Sequence, residues 1–272
     1  MPTSDKELLH RRLEELYRRF NRREYVHPDP LELVLRFEDP ADQEIAGLIA
    51  SSLAYGKVGN ILNSLEKVFD VIQSPSADLA GKEKKDLLDD FAFFRHRWTT
   101  GEELACLLWG IARLRHEYGS LESCFLDGIR DKDRDVIPAL TCFVAKLRLA
   151  SGCGESSLIA CPTMGSACKR LFLYLRWMVR HDEVDPGPWT RVSSAQLVVP
   201  MDVHMHRVCR QFGLTSRRQA DLKSALEVTA FFRQLEPEDP VKYDFTMTRP
   251  GIRPDLEPGT VFDHFQAKSM HL

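Results

Sequence analysis

Two residues of this sequence have the types and the placement for chemistry on a carbon centre. Lys169 and Asp202 are separated by one predicted helix and one loop, and each follows a turn at the start of a helix. A side chain at such a position can project into a cleft. A lysine amine can attack an electrophilic carbon, and a nearby carboxylate can stabilise the positive charge that develops. The pair therefore predicts a site for covalent catalysis through an amine.

The elements that must position this pair are helical. Residues 168–180 are apolar on most of the helix circumference, which predicts a central buried helix carrying Lys169 at its start. A loop rich in proline and glycine follows at 181–194. Asp202 then begins a helix with apolar residues at helical spacing, and Gly213 ends it.

Helical signals also dominate the rest of the chain, and no convincing alternating strand is present. No repeat, linker or low-complexity stretch divides the sequence. The sequence therefore predicts an all-α fold in which residues 1–272 form a single unit. Capping motifs and apolar stripes predict further helices that start near Ser4, Asp42, Thr100, Ile137, Glu155, Leu222 and Asp239. Another helix is predicted from the stripe of Ile61, Leu65, Val68, Phe69 and Ile72.

The composition is that of an ordinary globular protein, with 43% hydrophobic and 28% charged residues among 272. The net charge of −3 gives none of the basic footprint that nucleic-acid-binding proteins usually carry. No apolar run is long enough for a membrane span, and the first residues lack the apolar core of a signal peptide. We therefore expect a cytoplasmic protein without a membrane partner.

The seven cysteines are scattered through apolar surroundings. The spacing of Cys153, Cys161 and Cys168 matches no common zinc or iron–sulfur motif. We therefore expect reduced, mostly buried thiols and no metal site.

Residues 155–180 have the pattern of a helix, a tight turn and a second helix. Such a helix-hairpin-helix element presents backbone N–H groups at a helix N-terminus, which suits one phosphate of a nucleic-acid backbone. Gly165 supplies the conformational freedom of the turn. A simple connector between two helices has the same pattern, so the turn alone is weak evidence.

Residues 199–208 (VPMDVHMHRV), with the Phe-Gly-Leu that follows, resemble a known signature. It is the proline, aspartate, histidine and arginine pattern of helix-hairpin-helix (HhH-GPD) DNA glycosylases of the endonuclease III superfamily. Residues 164–169 (MGSACK) resemble the hairpin of that family and place Lys169 on its catalytic lysine. Residues 48–54 (LIASSLA) and 58–61 (VGNI) resemble the helix and turn that line the family's base pocket.

The wide separation of Lys169 and Asp202 is more similar to the archaeal 8-oxoguanine glycosylase group than to endonuclease III. The whole sequence also resembles a bacterial family of uncharacterised proteins assigned to the same superfamily. The segments that carry this second resemblance are 169–180 (KRLFLYLRWMVR) and 239–245 (DPVKYDF).

The resemblance implies a two-lobed helical fold with a cleft between the lobes, and a DNA repair enzyme that flips a damaged base out of the duplex. Lys169 would attack C1′ of the sugar and form a Schiff base, which allows strand cleavage as an abasic-site lyase. Asp202 would stabilise positive charge on the sugar. An oxidised purine such as 8-oxoguanine is the expected substrate. The other implied contacts are Gly165, Ser166, Arg170 and Arg207 with nucleic acid, and Tyr55, Trp189, His204 and Asp244 in the base pocket.

Several residues depart from the family pattern. Met164 and Ala167 stand where the hairpin usually has a proline and its second glycine. No cysteine follows Cys209, so the iron–sulfur cluster of endonuclease III relatives is not expected, and neither is any other cofactor. The expected partner is damaged duplex DNA, bound by a monomer.

Other interpretations of the same residues remain open. A non-catalytic helix-hairpin-helix nucleic-acid-binding protein would keep the fold without turnover, and a helical interaction protein would bind no nucleic acid. Lys169 and Asp202 can equally form a structural ion pair between two helix starts, and Asp202 can be only an N-cap. His204 can serve the fold as a hydrogen-bonding residue.

Overall fold

Helices form almost all of the regular structure of the chain. The computed structural model describes residues 3–153, 156, 158–164, 167–253 and 255. The strands within these ranges have two residues each, so the predicted all-α fold is confirmed. None of the described helices is long and apolar enough to cross a membrane. The elements are α1 (Thr3–Phe20), α2 (Leu31–Val34), α3 (Pro40–Ser52), α4 (Val58–Val71), α5 (Pro75–Asp78), α6 (Lys84–Asp90), β1 (Arg95–His96), β2 (Thr99–Thr100), α7 (Gly101–Tyr118), α8 (Leu121–Leu126), α9 (Ile137–Ser151), α10 (Lys169–Val179), α11 (Val203–Gln211), α12 (Leu222–Leu235) and α13 (Asp244–Ile252), with short 3-10 turns at Arg23–Tyr25, Pro162–Met164 and Ser194–Gln196.

Side chains that accept hydrogen bonds from the first turn determine where helices start. Thr100 Oγ1 accepts from the Glu103 amide at 3.3 Å, and the Glu103 carboxylate accepts from the Thr100 amide at 3.0 Å, which confirms the predicted capping box of α7. Helix α3 starts earlier than predicted, because Asp39 caps it and Pro40 follows. Proline suits the first helical position since it has no N–H to satisfy. Asp42, the predicted cap, therefore lies inside the first turn.

Helix α10 is the central buried helix that its apolar circumference predicts. It packs against α3, where Gly47 lets the two helices approach closely, since a Cβ there would lie 2.7 Å from Met178 Cε. Leu175, Trp177 and Met178 are fully buried. A second large helix contact joins α7 to α9. Residues of both helix pairs belong to the hydrophobic core.

Two arginines of α10 are buried and connect this helix to later parts of the chain. Arg176 Nη2 lies 3.1 Å from Asp185 Oδ1, and Arg176 Nη1 lies 2.6 Å from Asp244 Oδ2. Arg180 Nη1 lies 2.5 Å from Asp185 Oδ2, and Arg180 Nε lies 2.8 Å from Asp239 Oδ2. Buried ions need such partners because removing them from water is costly. Asp185 therefore attaches the loop after α10 to that helix.

Two further helix predictions are wrong. The sequence predicts a helix over 155–160, but the described residues 158–160 are not helical, and the 3-10 turn Pro162–Met164 follows them. The described part of the predicted element 155–180 thus contains only its second helix. The last helix starts at Asp244 instead of Asp239. Asp239 does not act as its cap because its carboxylate binds Arg180.

The cysteines also differ in part from expectation. Cys106 and Cys153 form a disulfide with Cα atoms 6.1 Å apart, so the expectation of reduced thiols is wrong for these two. The packing of α7 on α9 brings them within reach of each other. The other five cysteines are free, and Cys124, Cys168 and Cys209 among them are buried.

Candidate active site

Five of the predicted site residues meet in one pocket of about 630 Å³. Its walls come from the turn between α3 and α4, the first residues of α10 and α11, helix α13 and the loop before α2. Segments that are far apart in the sequence thus share one cavity. The predicted residues that line it are Tyr55, Lys169, Asp202, His204 and Asp244.

Lys169 is the first residue of α10 and lines the pocket. Cys168 precedes it in the left-handed conformation, with a φ of 47°, and so turns the chain into the helix. The Lys169 side chain is 35% exposed, so a molecule in the pocket can reach its amine.

Asp202 uses its two carboxylate oxygens for two different contacts. Oδ1 accepts a hydrogen bond from the Met205 amide at 2.7 Å and so caps α11. Oδ2 lies 3.1 Å from Lys169 Nζ. Burial opposes ionisation of this carboxyl, but Lys169 and the Met205 amide outweigh burial and lower its pKa. Asp202 is therefore ionised at neutral pH, and the N-cap and the ion pair exist together.

The first residues of α11 form the exposed rim of the pocket. Val203 is 75% exposed, and His204 is exposed next to it. Within the described part of the chain, the His204 side chain makes no hydrogen bond. As far as the described residues show, its imidazole is available to a molecule in the pocket.

Tyr55 lies on the pocket wall between α3 and α4. Its hydroxyl lies 2.6 Å from Thr99 Oγ1 and donates to the His96 carbonyl at 3.0 Å. The Trp98 ring stacks on the Tyr55 ring, with centroids 4.7 Å apart and an interplanar angle of 23°. These contacts attach the β1–β2 hairpin to the edge of the pocket.

Asp244 is the first residue of α13 and is buried in the pocket wall. Burial raises the pKa of its carboxyl, and the Arg176 guanidinium, which donates to Oδ2 at 2.6 Å, opposes that shift. Arg176 also lines the pocket. Asp244 is thus bound to a buried arginine, and its main effect is to fix the position of α13 relative to α10.

Asp29 and Arg249 also line the pocket, although the sequence pattern does not single them out. Arg249 is buried, and its Nη2 donates to Asp29 Oδ2 at 2.7 Å. Burial lowers the pKa of Arg249, and the Asp29 carboxylate opposes that shift. The one local signal was the His-Pro-Asp-Pro run at 27–30, which marks a turn in a helical chain.

Trp189, the other residue predicted for the base pocket, does not line this pocket. The residue is 3% exposed, and its ring packs edge-on against Tyr174. Its Nε1 donates to Glu44 Oε2 at 3.2 Å. Hydrogen-bond donors stabilise a buried carboxylate, so this hydrogen bond favours the buried position of the indole.

The residues that the resemblance places on nucleic acid have different surroundings. Arg207 is exposed on α11, where it can meet a phosphate. Arg170 Nη1 donates to the Ser52 carbonyl at 2.5 Å. Its guanidinium lies over the ring of Tyr55, 5.2 Å from the centroid. Gly165 and Ser166 lie outside the described residues. Arg170 is therefore held by the pocket wall rather than extended toward solvent.

A group of possible metal ligands in the described ranges lies away from this pocket and consists of His10, Glu14 and Glu236. Lys242 Nζ lies 2.6 Å from Glu14 Oε1 and 3.3 Å from Glu236 Oε1. Its ammonium supplies the positive charge that the two carboxylates need. The group is therefore explained as an ion-pair cluster that joins α1 to the segment before α13.

Comparison with known proteins identifies the family of this chain but indicates no activity. A family model described as a protein of unknown function (DUF2400) matches residues 29–253. The match covers most of the chain and includes Lys169 and Asp202. No curated protein and no solved structure matches this chain.

Proposed function

The chain belongs to the DUF2400 family of proteins of unknown function, and we propose that it is a base-excision DNA glycosylase with abasic-site lyase activity. The observation that carries the proposal is the Lys169–Asp202 pair, whose Nζ and Oδ2 atoms lie 3.1 Å apart in a pocket of about 630 Å³. A pocket of this volume can hold one extruded nucleotide, which chemistry on a base of DNA requires.

Asp202 is the electrostatic part of the proposed mechanism. Its lowered pKa keeps it a carboxylate at neutral pH. Cleavage of the N-glycosidic bond places positive charge on the sugar, and a fixed carboxylate beside the sugar stabilises that charge. The Met205 amide holds Oδ1, so the carboxylate keeps its orientation when the lysine leaves Oδ2.

Lys169 is the nucleophile of the proposed mechanism. In the ion pair it is an ammonium, which has no lone pair for attack, so the substrate must separate the two groups and a proton must leave Nζ. The proton passes to solvent water, which leaves the neutral amine with a lone pair for attack. Attack on C1′ forms the N–C bond, and the base departs with the electron pair of the glycosidic bond.

The lyase step follows from the same adduct. The nitrogen lone pair forms the C=N bond of a Schiff base while the C1′–O4′ bond breaks and O4′ takes up a proton. Loss of a proton from C2′ then expels the 3′ phosphate and cuts the strand. Lys169 remains bound to the sugar until water hydrolyses the Schiff base.

The proposed substrate is damaged duplex DNA that carries an oxidised purine such as 8-oxoguanine. The similarity of the Lys169–Asp202 separation to the archaeal 8-oxoguanine glycosylase group supports this choice. Asp29 and Arg249 add an acceptor and donors to the pocket wall, which suits a base with both kinds of polar edge. We also propose that the protein acts as a monomer in the cytoplasm.

Borohydride trapping tests the proposal directly. The full chain is incubated with labelled duplexes that carry 8-oxoguanine, uracil or an abasic site, and covalent adducts are separated by gel. We expect an adduct that Lys169→Ala abolishes and that Lys223→Ala, a change at an exposed lysine of α12, leaves intact. The proposal fails if no duplex yields an adduct while DNA binding is intact.

A non-catalytic nucleic-acid-binding protein is the second candidate. The observation that favours it is the same 3.1 Å ion pair, because a salt bridge between two helix starts also fits a purely structural contact. In that case Lys169→Ala leaves DNA binding unchanged and no duplex gives an adduct. A protein without affinity for DNA even at low salt would be neither candidate but a helical interaction protein.

A further inference from the structure

A two-residue turn holds an exposed tryptophan beside the pocket. Arg97 and Trp98 form the turn between β1 and β2, and Arg97 has a φ of 54°, which few residues other than glycine adopt. Trp98 is 54% exposed, whereas Trp177 and Trp189 are buried. The ordered turn thus holds a large, half-exposed aromatic ring next to the pocket.

Hydrogen bonds attach this turn firmly to the pocket wall. His96 is buried, with its Nδ1 2.9 Å from Ser64 Oγ and its Nε2 3.0 Å from the Tyr55 carbonyl oxygen. The Tyr55 hydroxyl lies 2.6 Å from Thr99 Oγ1. Trp98 is therefore presented from a rigid base, so a ligand that contacts it need not order the hairpin first.

Trp98 stacks on Tyr55, and each of the two rings also has a guanidinium group near it. The Tyr55 and Trp98 ring centroids are 4.7 Å apart. The Arg97 guanidinium lies 4.6 Å from the Trp98 centroid, and the Arg170 guanidinium lies 5.2 Å from the Tyr55 centroid. Flat rings with adjoining cations are the groups that bind nucleobases and phosphates of single strands. Since Tyr55 also lines the pocket, the stack starts at the pocket wall.

The two chain segments that supply Tyr55, Arg97 and Trp98 are cationic, although the net charge of the protein is −3. Lys57, Arg95 and Arg97 are exposed there. These two segments, residues 51–65 and 91–101, contain no acidic residue. The charge therefore complements a polyanion, and the rings complement flat, unpaired bases carried by that polyanion.

We propose that Tyr55, Arg97 and Trp98 form a platform that binds an unpaired base of single-stranded DNA beside the pocket. The base stacks on Trp98 in place of the Arg97 guanidinium, which moves to the adjoining phosphate. The inference rests on the DNA-directed function proposed above and narrows its substrate to DNA whose strand is unpaired next to the reacting nucleotide. A fully paired duplex hides the faces of its bases and offers the indole no equivalent contact.

Equilibrium binding of the full chain to labelled oligonucleotides tests the platform. The probes are a single strand of mixed sequence, a strand of equal length made of abasic sites, and the matching duplex. We expect the base-containing single strand to bind most tightly. Trp98→Ala should weaken that binding roughly 5- to 100-fold and leave binding of the abasic strand unchanged. Trp98→Phe should recover part of the loss because it keeps a ring.

The matched control is Phe93→Ala, which removes another exposed aromatic side chain from the same segment, 61% exposed. We expect it to leave binding unchanged, because no stacking of Phe93 on Tyr55 or Trp98 occurs. Equal losses in Phe93→Ala and Trp98→Ala, equal affinity for base-containing and abasic strands, or tighter binding of the duplex would each overturn the platform.

Borohydride trapping tests the proposed enzyme, and equilibrium binding tests the proposed platform, so the two proposals can be rejected independently. Adduct formation without base-dependent affinity would keep the proposed enzyme and reject the platform. Base-dependent affinity that needs Trp98, without any adduct, would keep the platform and reject the enzyme.

Discussion

The two contacts of Asp202 can be separated by substitution. Asp202→Asn keeps an N-cap for α11, since asparagine caps about as well as aspartate, but it removes the charge. Asp202→Ala removes both the cap and the charge. Lys169→Ala removes the ion pair and leaves the cap, so it is the matched control for the charge alone.

The structure sets the size of each effect. Loss of the 2.7 Å hydrogen bond from the Met205 amide to Asp202 should lower the free energy of unfolding by about 1 kcal/mol. The Lys169 and Asp202 side chains are 35% and 20% exposed, so solvent screens their ion pair and it contributes roughly 0.5 kcal/mol. We therefore expect a loss of about 0.5 kcal/mol in Asp202→Asn and Lys169→Ala, and about 1.5 kcal/mol in Asp202→Ala.

Urea unfolding at neutral pH measures these free energies, and borohydride trapping on the same preparations measures the chemistry. Both Asp202 variants should lose most adduct formation, because each lacks the carboxylate that stabilises charge on the sugar. Equal destabilisation by Asp202→Asn and Asp202→Ala would refute the capping argument. Undiminished adduct formation by Asp202→Asn would refute the electrostatic one.

Three further predictions concern the buried polar groups. Arg176→Met removes one guanidinium partner of buried Asp185, and urea unfolding should show a loss of about 3 kcal/mol; a change within experimental error would contradict the role given to the buried ion pairs. Burial lowers the pKa of His96 below the value of about 6.5 expected in the unfolded chain, so the unfolded state binds the proton more readily and stability should fall as the pH drops below about 6.5. Thermal unfolding at neutral pH and at about pH 5 checks this, with His96→Gln as the control that should show a flatter profile; identical profiles would exclude His96 as the source. Trp189→Phe removes the indole donor 3.2 Å from Glu44 Oε2 and should lower the free energy of unfolding by about 1–3 kcal/mol, measured by urea titration. It should leave borohydride trapping unchanged, and a lost adduct would show that the indole reaches the pocket after all.

Helix starts could be predicted from the sequence where the capping group and its partner are neighbours in the chain. The capping box of Thr100 with Glu103 and the N-cap at Asp202 are both of this kind. The start of α3 was predicted wrongly because Asp39 and Asp42 both precede an apolar stripe. The deciding feature is a proline directly after Asp39, in the first helical position.

Contacts between distant parts of the chain could not be predicted from local patterns. Trp189 and Glu44 are 145 positions apart, and only their packing shows that the indole serves a buried carboxylate. Asp29 lies 220 positions from Arg249, so no motif joins these two parts of the pocket wall. The exposed position of Trp98 also has no periodic signal, because it depends on a two-residue turn between strands too short to recognise by alternation.

Helix α1 lies before the segment that the family model matches, yet it packs against α13, which forms one wall of the pocket. Lys242 Nζ and the Tyr243 hydroxyl both contact Glu14 Oε1 of α1, at 2.6 and 2.5 Å, across 228 and 229 positions of sequence. On the ribosome α1 is made before α13, and these contacts form only after residues 242 and 243 have been synthesised. The pocket wall is therefore completed late in folding. A chain that stops before α13 leaves part of the apolar stripe of α1 uncovered and prone to aggregation.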